Sequence, residues 1–108
     1  MMKLVLAIIN RDDAHTVVRQ LTKAGYSVTK LSTMGGFLMV GNMTVLIGVP
    51  EEKVDNVIEI IGKYSSSRRQ VMPGIADAGM EMYPTAAVEV TVGGATIFVL
   101  DVDRYEKV

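Results

Sequence analysis

Apolar residues recur at positions i, i+3, i+4 and i+7 in two separate stretches of the chain, and this spacing constrains the fold more than any other feature. The residues are Ala14, Val17, Val18 and Leu21 in the first stretch, and Val54, Val57, Ile58 and Ile61 in the second. Because residues at this spacing share one face of a helix, the pattern predicts two helices that each bury one side. The rest of the fold therefore has to supply apolar surface for both helices.

Short runs with the character of β-strands flank the two predicted helices. Residues 3–9 form a nearly continuous apolar run that is too short for a buried helix, residues 26–33 are rich in Thr, Val and Tyr, and residues 43–49 form a third run. Asp12 and Asp13 follow the first run, and aspartate is a favoured N-cap residue whose charge suits a helix start. We therefore expect a strand, a helix capped by these aspartates, and two further strands before the second helix.

The C-terminal part of the chain is predicted to contain a long loop followed by a hairpin. Residues 64–86 show no apolar period, and a loop of this length in a compact domain is usually functional or mobile. Residues 88–92 alternate between apolar and polar, Gly93 and Gly94 are a two-residue hairpin signal, and residues 95–102 form the returning strand. The order β-α-β, β-α-β plus one C-terminal strand predicts an α+β, ferredoxin-like sandwich with both helices on one face of an antiparallel sheet.

Composition and charge exclude several classes of function. The chain has 108 residues, which suits one domain over residues 1–108, and it has no cysteine and a single histidine, so thiolate and histidine-rich metal sites are excluded. The net charge of −1 argues against a nucleic acid polymer as partner, because non-specific binding depends on many contacts of Lys and Arg with phosphate. Neither a long apolar span nor a basic leader is visible, so we expect a cytoplasmic protein without membrane insertion.

The best candidate for a binding site is the glycine-containing segment between the second and third predicted strands. Paired glycines let backbone N–H groups approach a ligand closely, and successive N–H groups can form a nest for an anion. Phe37 follows the pair and could stack on a base, while Asn42 offers a donor and an acceptor to an adenine edge and Thr29 adds a hydroxyl. The alternative from spacing alone is a flexible connector with Phe37 packed in the core.

The remaining polar residues do not form an arrangement typical of an enzyme. His15 lies in the first predicted helix, where a solvated side chain is favoured over a general base. No glycine motif for phosphate follows a strand in the way that nucleotide-hydrolysing or dinucleotide-binding folds require. Arg68 and Arg69 could clamp a phosphate, although a solvated charged pair is the simpler interpretation. We therefore expect a binding protein and not an enzyme.

Two segments of the chain resemble a known family. Residues 29–42 read TKLSTMGGFLMVGN, and residues 88–103 read VEVTVGGATIFVLDVD. Together they resemble the PII-like cyclic di-AMP receptor family, with a similarity that covers nearly the whole chain and is weakest in the long loop. The resemblance implies a homotrimer with cyclic di-AMP pockets at the three subunit interfaces. It also implies a ligand-switched adaptor for a downstream protein that the sequence does not identify.

The resemblance further implies seven ligand-binding residues with distinct roles. Two polar side chains would hydrogen-bond a buried adenine, one glycine would leave room for that base, and a glycine with two apolar residues would line the pocket. An aromatic side chain of the neighbouring subunit would pack against the ligand. In that order, the residues are Thr29 and Asn42, then Gly48, then Gly36, Phe37 and Leu38, and finally Phe98.

Two positions depart from the pattern of the family and keep other ligands open. Many members carry Arg where this chain has Ser27, and Gln where it has Lys107. Losing a charge-assisted contact would weaken binding by about 1.5–3 kcal/mol. The alternatives are a PII-like adaptor for another adenine nucleotide, such as ATP or AMP, and a small amino-acid-binding regulatory module of the same element order. The second alternative would not need Asn42.

Overall fold

The computed structural model describes residues 1–31, 41–66, 68–72 and 88–108 of the chain. Both predicted helices and the first three predicted strands are present, and a short 3-10 turn at Glu51–Lys53 leads into the second helix. The elements are β1 Met2–Asn10, α1 Arg11–Lys23, β2 Val28–Leu31, β3 Asn42–Pro50, α2 Val54–Ser65, β4 Arg68–Met72, β5 Val88–Val92 and β6 Ala95–Asp101. Within these ranges, neither helix is long and apolar enough to cross a membrane.

The principal sheet has four strands in the order β2-β3-β1-β6, and every neighbouring pair is antiparallel. One row across the sheet shows the register, since Leu46 on β3 faces both Thr29 on β2 and Leu6 on β1, and Leu6 faces Phe98 on β6. With α1 between β1 and β2, and α2 between β3 and the later strands, this is the predicted ferredoxin-like arrangement. The fold-class prediction is confirmed, with β6 as the fourth strand of the sheet.

The core lies between the two helices and one face of the central strands. Alternate residues of β1 and β3 are fully buried there, and the buried positions of α1 and α2 have the helical spacing that the sequence predicted. Val18 and Val54 are partly buried and pack against the same cluster. The buried apolar residues are Val5, Ala7 and Ile9; Val45, Ile47 and Val49; Ala14, Val17 and Leu21; and Val57 and Ile61.

The predicted hairpin between residues 88–92 and 95–102 is wrong. β5 pairs instead with β4 in a separate two-stranded sheet, and β6 pairs with β1 in the principal sheet. Gly93 and Gly94 adopt φ values of 83° and 87°, which redirect the chain from one sheet to the other. Part of the segment predicted as a loop is therefore a strand, β4, because its partner lies beyond residue 87 and local spacing cannot show that pairing.

The N-terminus of α1 is capped by Asn10, and the prediction of an aspartate cap is wrong. The side-chain oxygen of Asn10 accepts a hydrogen bond from the backbone N–H of Asp12 at 2.9 Å. Asp12 and Asp13 lie in the first turn of the helix, where a carboxylate is favoured by the helix dipole. The last residue of β1 therefore also starts α1, so the chain passes from strand to helix without a loop.

Lys3 connects the ends of three elements at one end of the sheet. Its ammonium group donates a hydrogen bond to the carboxylate of Asp101 on β6 and lies 3.5 Å from a carboxylate oxygen of Glu51. Backbone hydrogen bonds reinforce the connection, from Glu51 N–H to the carbonyl of Met1 at 2.9 Å and from Val102 N–H to the carbonyl of Met2 at 3.2 Å. The hydrogen bond to Asp101, together with the negative charges of Asp101 and Glu51, raises the pKa of Lys3 above its ordinary 10.5, although burial opposes the shift.

We expect Lys3→Met to lower the free energy of unfolding at neutral pH, with a difference from the wild type that disappears at high pH. A lysine whose pKa is raised on folding contributes stability that is fully present below its unfolded pKa and is lost as the pH rises through the folded value. Urea unfolding at pH values from 7 to above 10.5 measures the difference. Lys53→Met, at an exposed lysine, is the control. A difference that does not change over this range would contradict the ionic role of Lys3.

Candidate functional site

The face of the principal sheet opposite the helices is uncovered by any other described element. Side chains alternate along each strand, so burial of the odd-numbered residues of β1 and β3 against the helices turns the even-numbered residues to the other side. We call this surface the open face. Its residues, from the register, are Leu4, Leu6 and Ile8; Thr44, Leu46 and Gly48; Thr29 and Leu31; and Thr96, Phe98 and Leu100.

Much of the open face is apolar and accessible. Phe98 is 51% exposed, and Leu31 and Leu100 are also exposed, although a large apolar side chain is normally buried. Leu4 and Leu6 on β1 are only half-buried, even though β1 is a central strand. Clustered exposure of this kind marks a surface that binds a ligand or another protein.

All the sequence-predicted ligand residues that the structure describes lie on the open face or at its end. Thr29, Gly48 and Phe98 belong to it by register, and Asn42, the exposed first residue of β3, has the same parity along the strand as Gly48. The other three predicted residues, Gly36, Phe37 and Leu38, lie outside the described residues. The four described residues of the predicted set therefore share one side of the sheet, which a sequence pattern alone could not show.

Thr29 and Gly48 are brought together at the β2 side of the open face. Thr29 faces Leu46 across the ladder, and Gly48 is two residues further along β3, which makes it the diagonal neighbour of Thr29 at roughly 7–8 Å. Gly48 is exposed, and a Cβ at this position would meet no atom of the described residues within 4 Å. Its φ lies outside the left-handed region, so neither the backbone nor the packing of the described chain requires glycine there.

Asn42 lies at the end of the sheet from which the segment 32–40 departs. The preceding Gly41 has a φ of 99°, and its carbonyl accepts a hydrogen bond from the backbone N–H of Arg11 at 2.6 Å. Asn42 pairs with Asn10, the cap of α1, so the start of β3 is held against the start of that helix. Leu46, the partner of Thr29, is four residues further along β3 than Asn42, which is a distance of roughly 13 Å.

Phe98 and Thr29 lie at opposite edges of the sheet. They are the two ends of the row that runs through Leu46 and Leu6, so three strand spacings of about 4.8 Å, or roughly 14 Å, separate them. Two strands, which contribute Leu46 and Leu6 to this row, therefore lie between Thr29 and Phe98 of a single chain. The structure brings Thr29 and Gly48 together, but it does not bring Phe98 to them.

A second concave site, which the sequence analysis did not predict, lies on the helical side of the domain. It has a volume of about 320 Å³ between the C-terminal half of α1 and the second half of α2. The ammonium group of Lys63 lies 5.4 Å from the centre of the Tyr64 ring at its margin. None of the predicted ligand residues lines it. Its residues are Gln20, Lys23, Ala24, Glu59, Ile60, Lys63 and Tyr64.

The other polar residues that the sequence singled out lie away from the open face or outside the described side chains. His15 is exposed on α1, as the sequence predicted. Arg68 and Arg69 begin β4, where Arg68 faces Val92 and Arg69 faces Thr91, and the clamp proposed for their side chains falls outside what the structure describes. In the described ranges, no group of three His, Asp or Glu side chains is arranged to hold a metal ion.

Comparison with known proteins identifies the family. The family model described as "Cyclic-di-AMP receptor" matches residues 2–108. The chain belongs to the cyclic-di-AMP receptor family. The resemblance that the two sequence segments indicated is therefore confirmed, and the family extends over the whole fold, including the strands that form the open face.

Two solved structures resemble this receptor. A functionally unknown protein from Pediococcus pentosaceus ATCC 25745 is 41% identical in sequence and has a TM-score of 0.76. The alignment covers 99% of this chain and 97% of that protein's chain. Arabidopsis thaliana PII bound to citrate is 23% identical, with 94% of this chain and 74% of that chain covered and a TM-score of 0.54. The second similarity concerns the fold alone and makes the fold PII-like.

Proposed function

We propose that this receptor binds cyclic di-AMP at the open face and acts as a cytosolic PII-like signalling adaptor without catalytic activity, built as one sensor domain over residues 1–108. The observation that carries the proposal is the family match over residues 2–108. Its support in the structure is that Thr29, Asn42 and Gly48 lie along one side of the sheet, next to an apolar surface that nothing in the described chain covers. The downstream partner is unidentified.

The dimensions of the site favour a ligand with two bases over a mononucleotide. Along β3, Asn42 is four residues, or roughly 13 Å, from the partner of Thr29 and six residues, or roughly 20 Å, from Gly48. In place of the single adenine that the resemblance implied for these three residues, we therefore assign Asn42 and Gly48 to different bases. A cyclic dinucleotide carries two purines joined by two phosphodiesters, so it can offer a base to each place at once. The uncovered backbone at Gly48 suits the flat face of a purine, because no side chain stands above it.

A second copy of the chain completes the site in this proposal. Phe98 is 51% exposed, and its backbone lies about 14 Å from that of Thr29 within one chain, so we assign its contact with the ligand at Thr29 to a neighbouring subunit. The apolar open face also needs a partner surface, and packing against other copies removes it from water. A homotrimer in which three open faces meet satisfies both requirements with closed symmetry.

Because of the two departures from the family pattern, another adenine nucleotide is an alternative to cyclic di-AMP as the ligand. Ser27 is exposed immediately before β2, where a neutral hydroxyl replaces the guanidinium of many relatives, and Lys107 is exposed near the C-terminus. A lysine ammonium keeps positive charge for a phosphate but cannot reproduce a planar bidentate contact. ATP and AMP are therefore the alternative ligands, and their affinities relative to that of cyclic di-AMP decide which ligand is correct.

Titration calorimetry with cyclic di-AMP, cyclic di-GMP, ATP and AMP tests the ligand. We expect saturable heat with cyclic di-AMP, one site per subunit, and at least tenfold weaker binding of the other three, because guanine presents a different hydrogen-bonding edge and the mononucleotides reach only one of the two places. Sedimentation of the same samples gives the number of subunits. No heat with cyclic di-AMP, or tighter binding of ATP or AMP, would contradict the proposed ligand.

We expect Gly48→Val to fold normally and to bind cyclic di-AMP about tenfold or more weakly. Valine suits a β-strand, and a Cβ at this position would meet no described atom within 4 Å, so we expect the melting temperature not to fall. A branched side chain above the backbone would collide with a base, and overpacking of this kind costs about 1–3 kcal/mol. Gly62→Ala, on the exposed surface of α2, is the matched control, and unchanged affinity of Gly48→Val would remove Gly48 from the site.

Asn42→Ala separates the nucleotide receptor from an amino-acid-binding module. Loss of the amide removes a hydrogen bond to adenine, so we expect cyclic di-AMP to bind about 2- to 10-fold more weakly, which corresponds to the usual net value of one hydrogen bond. Thr22→Ala, at an exposed position of α1, should bind like the wild type. Equal affinities of the two variants for cyclic di-AMP would exclude Asn42 as an adenine contact. Binding of an amino acid that Asn42→Ala leaves unchanged would favour the regulatory module.

A further inference from the structure

β2, the strand that carries Thr29, is an edge strand of the principal sheet. Among the described residues it runs from Val28 to Leu31 and pairs only with β3. Of its residues, only Val28 is half-buried, and the other three are exposed. Short exposed edge segments open locally at low free-energy cost. The position of Thr29 therefore depends on what holds β2 besides its ladder.

Tyr26 provides this additional attachment at the start of β2. Its backbone N–H donates to the carbonyl of Leu21 at 3.0 Å, which closes the turn after α1. Its ring is half-buried and packs against the core cluster, and its hydroxyl accepts a hydrogen bond from the side-chain amide of Asn56 at 2.6 Å. Asn56 is on α2, so this bond links the strand of the first β-α-β unit to the helix of the second.

We infer that Tyr26 is a positioning residue for cyclic di-AMP, which holds β2, and with it Thr29, in the conformation that binds the ligand. The inference rests on the proposed function for the identity of the ligand. Tyr26 precedes Thr29 by three residues and points into the helical side, so it has no place on the open face itself. It acts through the strand: when β2 is already ordered, the ligand does not have to order it on binding.

Substitutions that remove only the hydrogen bond test this role. Tyr26→Phe keeps the packed ring and loses the hydroxyl, and Asn56→Ala removes the other partner at an exposed position where misfolding is not expected. We expect each to weaken binding of cyclic di-AMP about 2- to 10-fold. Asn56→Asp should restore affinity, because the tyrosine hydroxyl can donate to a carboxylate. The control is Tyr64→Phe, at a half-buried tyrosine of α2 that also packs on the core.

A double-mutant cycle separates positioning from a general loss of stability. In the background of Thr29→Val, which removes the hydroxyl that Tyr26 is inferred to position, Tyr26→Phe should have a smaller effect on affinity than in the wild type. If Tyr26→Phe lowers the affinity by the same factor in the wild-type and Thr29→Val backgrounds, Tyr26 does not act through Thr29 and the inference is overturned. A loss of affinity in Tyr64→Phe equal to that in Tyr26→Phe would overturn it as well, because it would reflect the helix layer in general.

Amide hydrogen exchange without ligand decides the anchoring independently of the proposed function. In Tyr26→Phe and Asn56→Ala, we expect the amide exchange rates of residues 28–31 to be higher than in the wild type. The exchange rates of the β1 amides should be unchanged. Equal exchange at residues 28–31 in wild type and both variants would overturn the inference even if cyclic di-AMP binds. Absence of heat from the wild-type chain with cyclic di-AMP would overturn the proposed function instead, whatever the exchange rates show.

Discussion

Burial of the apolar faces of α1 and α2 against one side of β1 and β3 is the interaction on which the rest of the structure depends. Since side chains alternate along a strand, placing Val5, Ala7 and Ile9 against the helices necessarily turns Leu4 and Leu6 to the other side. The same core that stabilises the fold therefore creates an open, partly apolar face. All the described residues that the family resemblance assigns to the ligand are on this face or at its end.

The strand order β2-β3-β1-β6 determines what one copy of this receptor can do by itself. It places Thr29 and Gly48 together at one side of the open face and Phe98 at the far edge, with Leu46 and Leu6 between them. In the proposed trimer, the same apolar surface would serve both ligand binding and assembly. Removing that surface from water would supply free energy for the proposed assembly.

Contacts are distributed unevenly over the sheet, and the proposed site includes residues of both its firmly held centre and its edge. β1 and β3 pair along nine residues and are buried by both helices, while Lys3 holds the ends of β1, β6 and the 3-10 turn together. Among the described residues, β2 is held by four ladder positions and by the attachment through Tyr26 and Asn56. Gly48 and Asn42 therefore lie on a firmly held strand, while Thr29 lies on an edge strand that we infer Tyr26 to hold in place.

The sequence by itself determined the two helices, the first three strands, the fold class and the family, because helical and strand periodicity and the segments 29–42 and 88–103 are local patterns. It could not show that Gly93 and Gly94 lead from one sheet into another, since β4 and β1 are the partners that decide it and both are distant along the chain. Likewise, Asn56 is 30 residues from Tyr26, and Asp101 is 98 residues from Lys3. Contacts of this kind follow from how the elements pack, and only the tertiary structure decided them, together with the separation of Thr29 from Phe98 across the sheet.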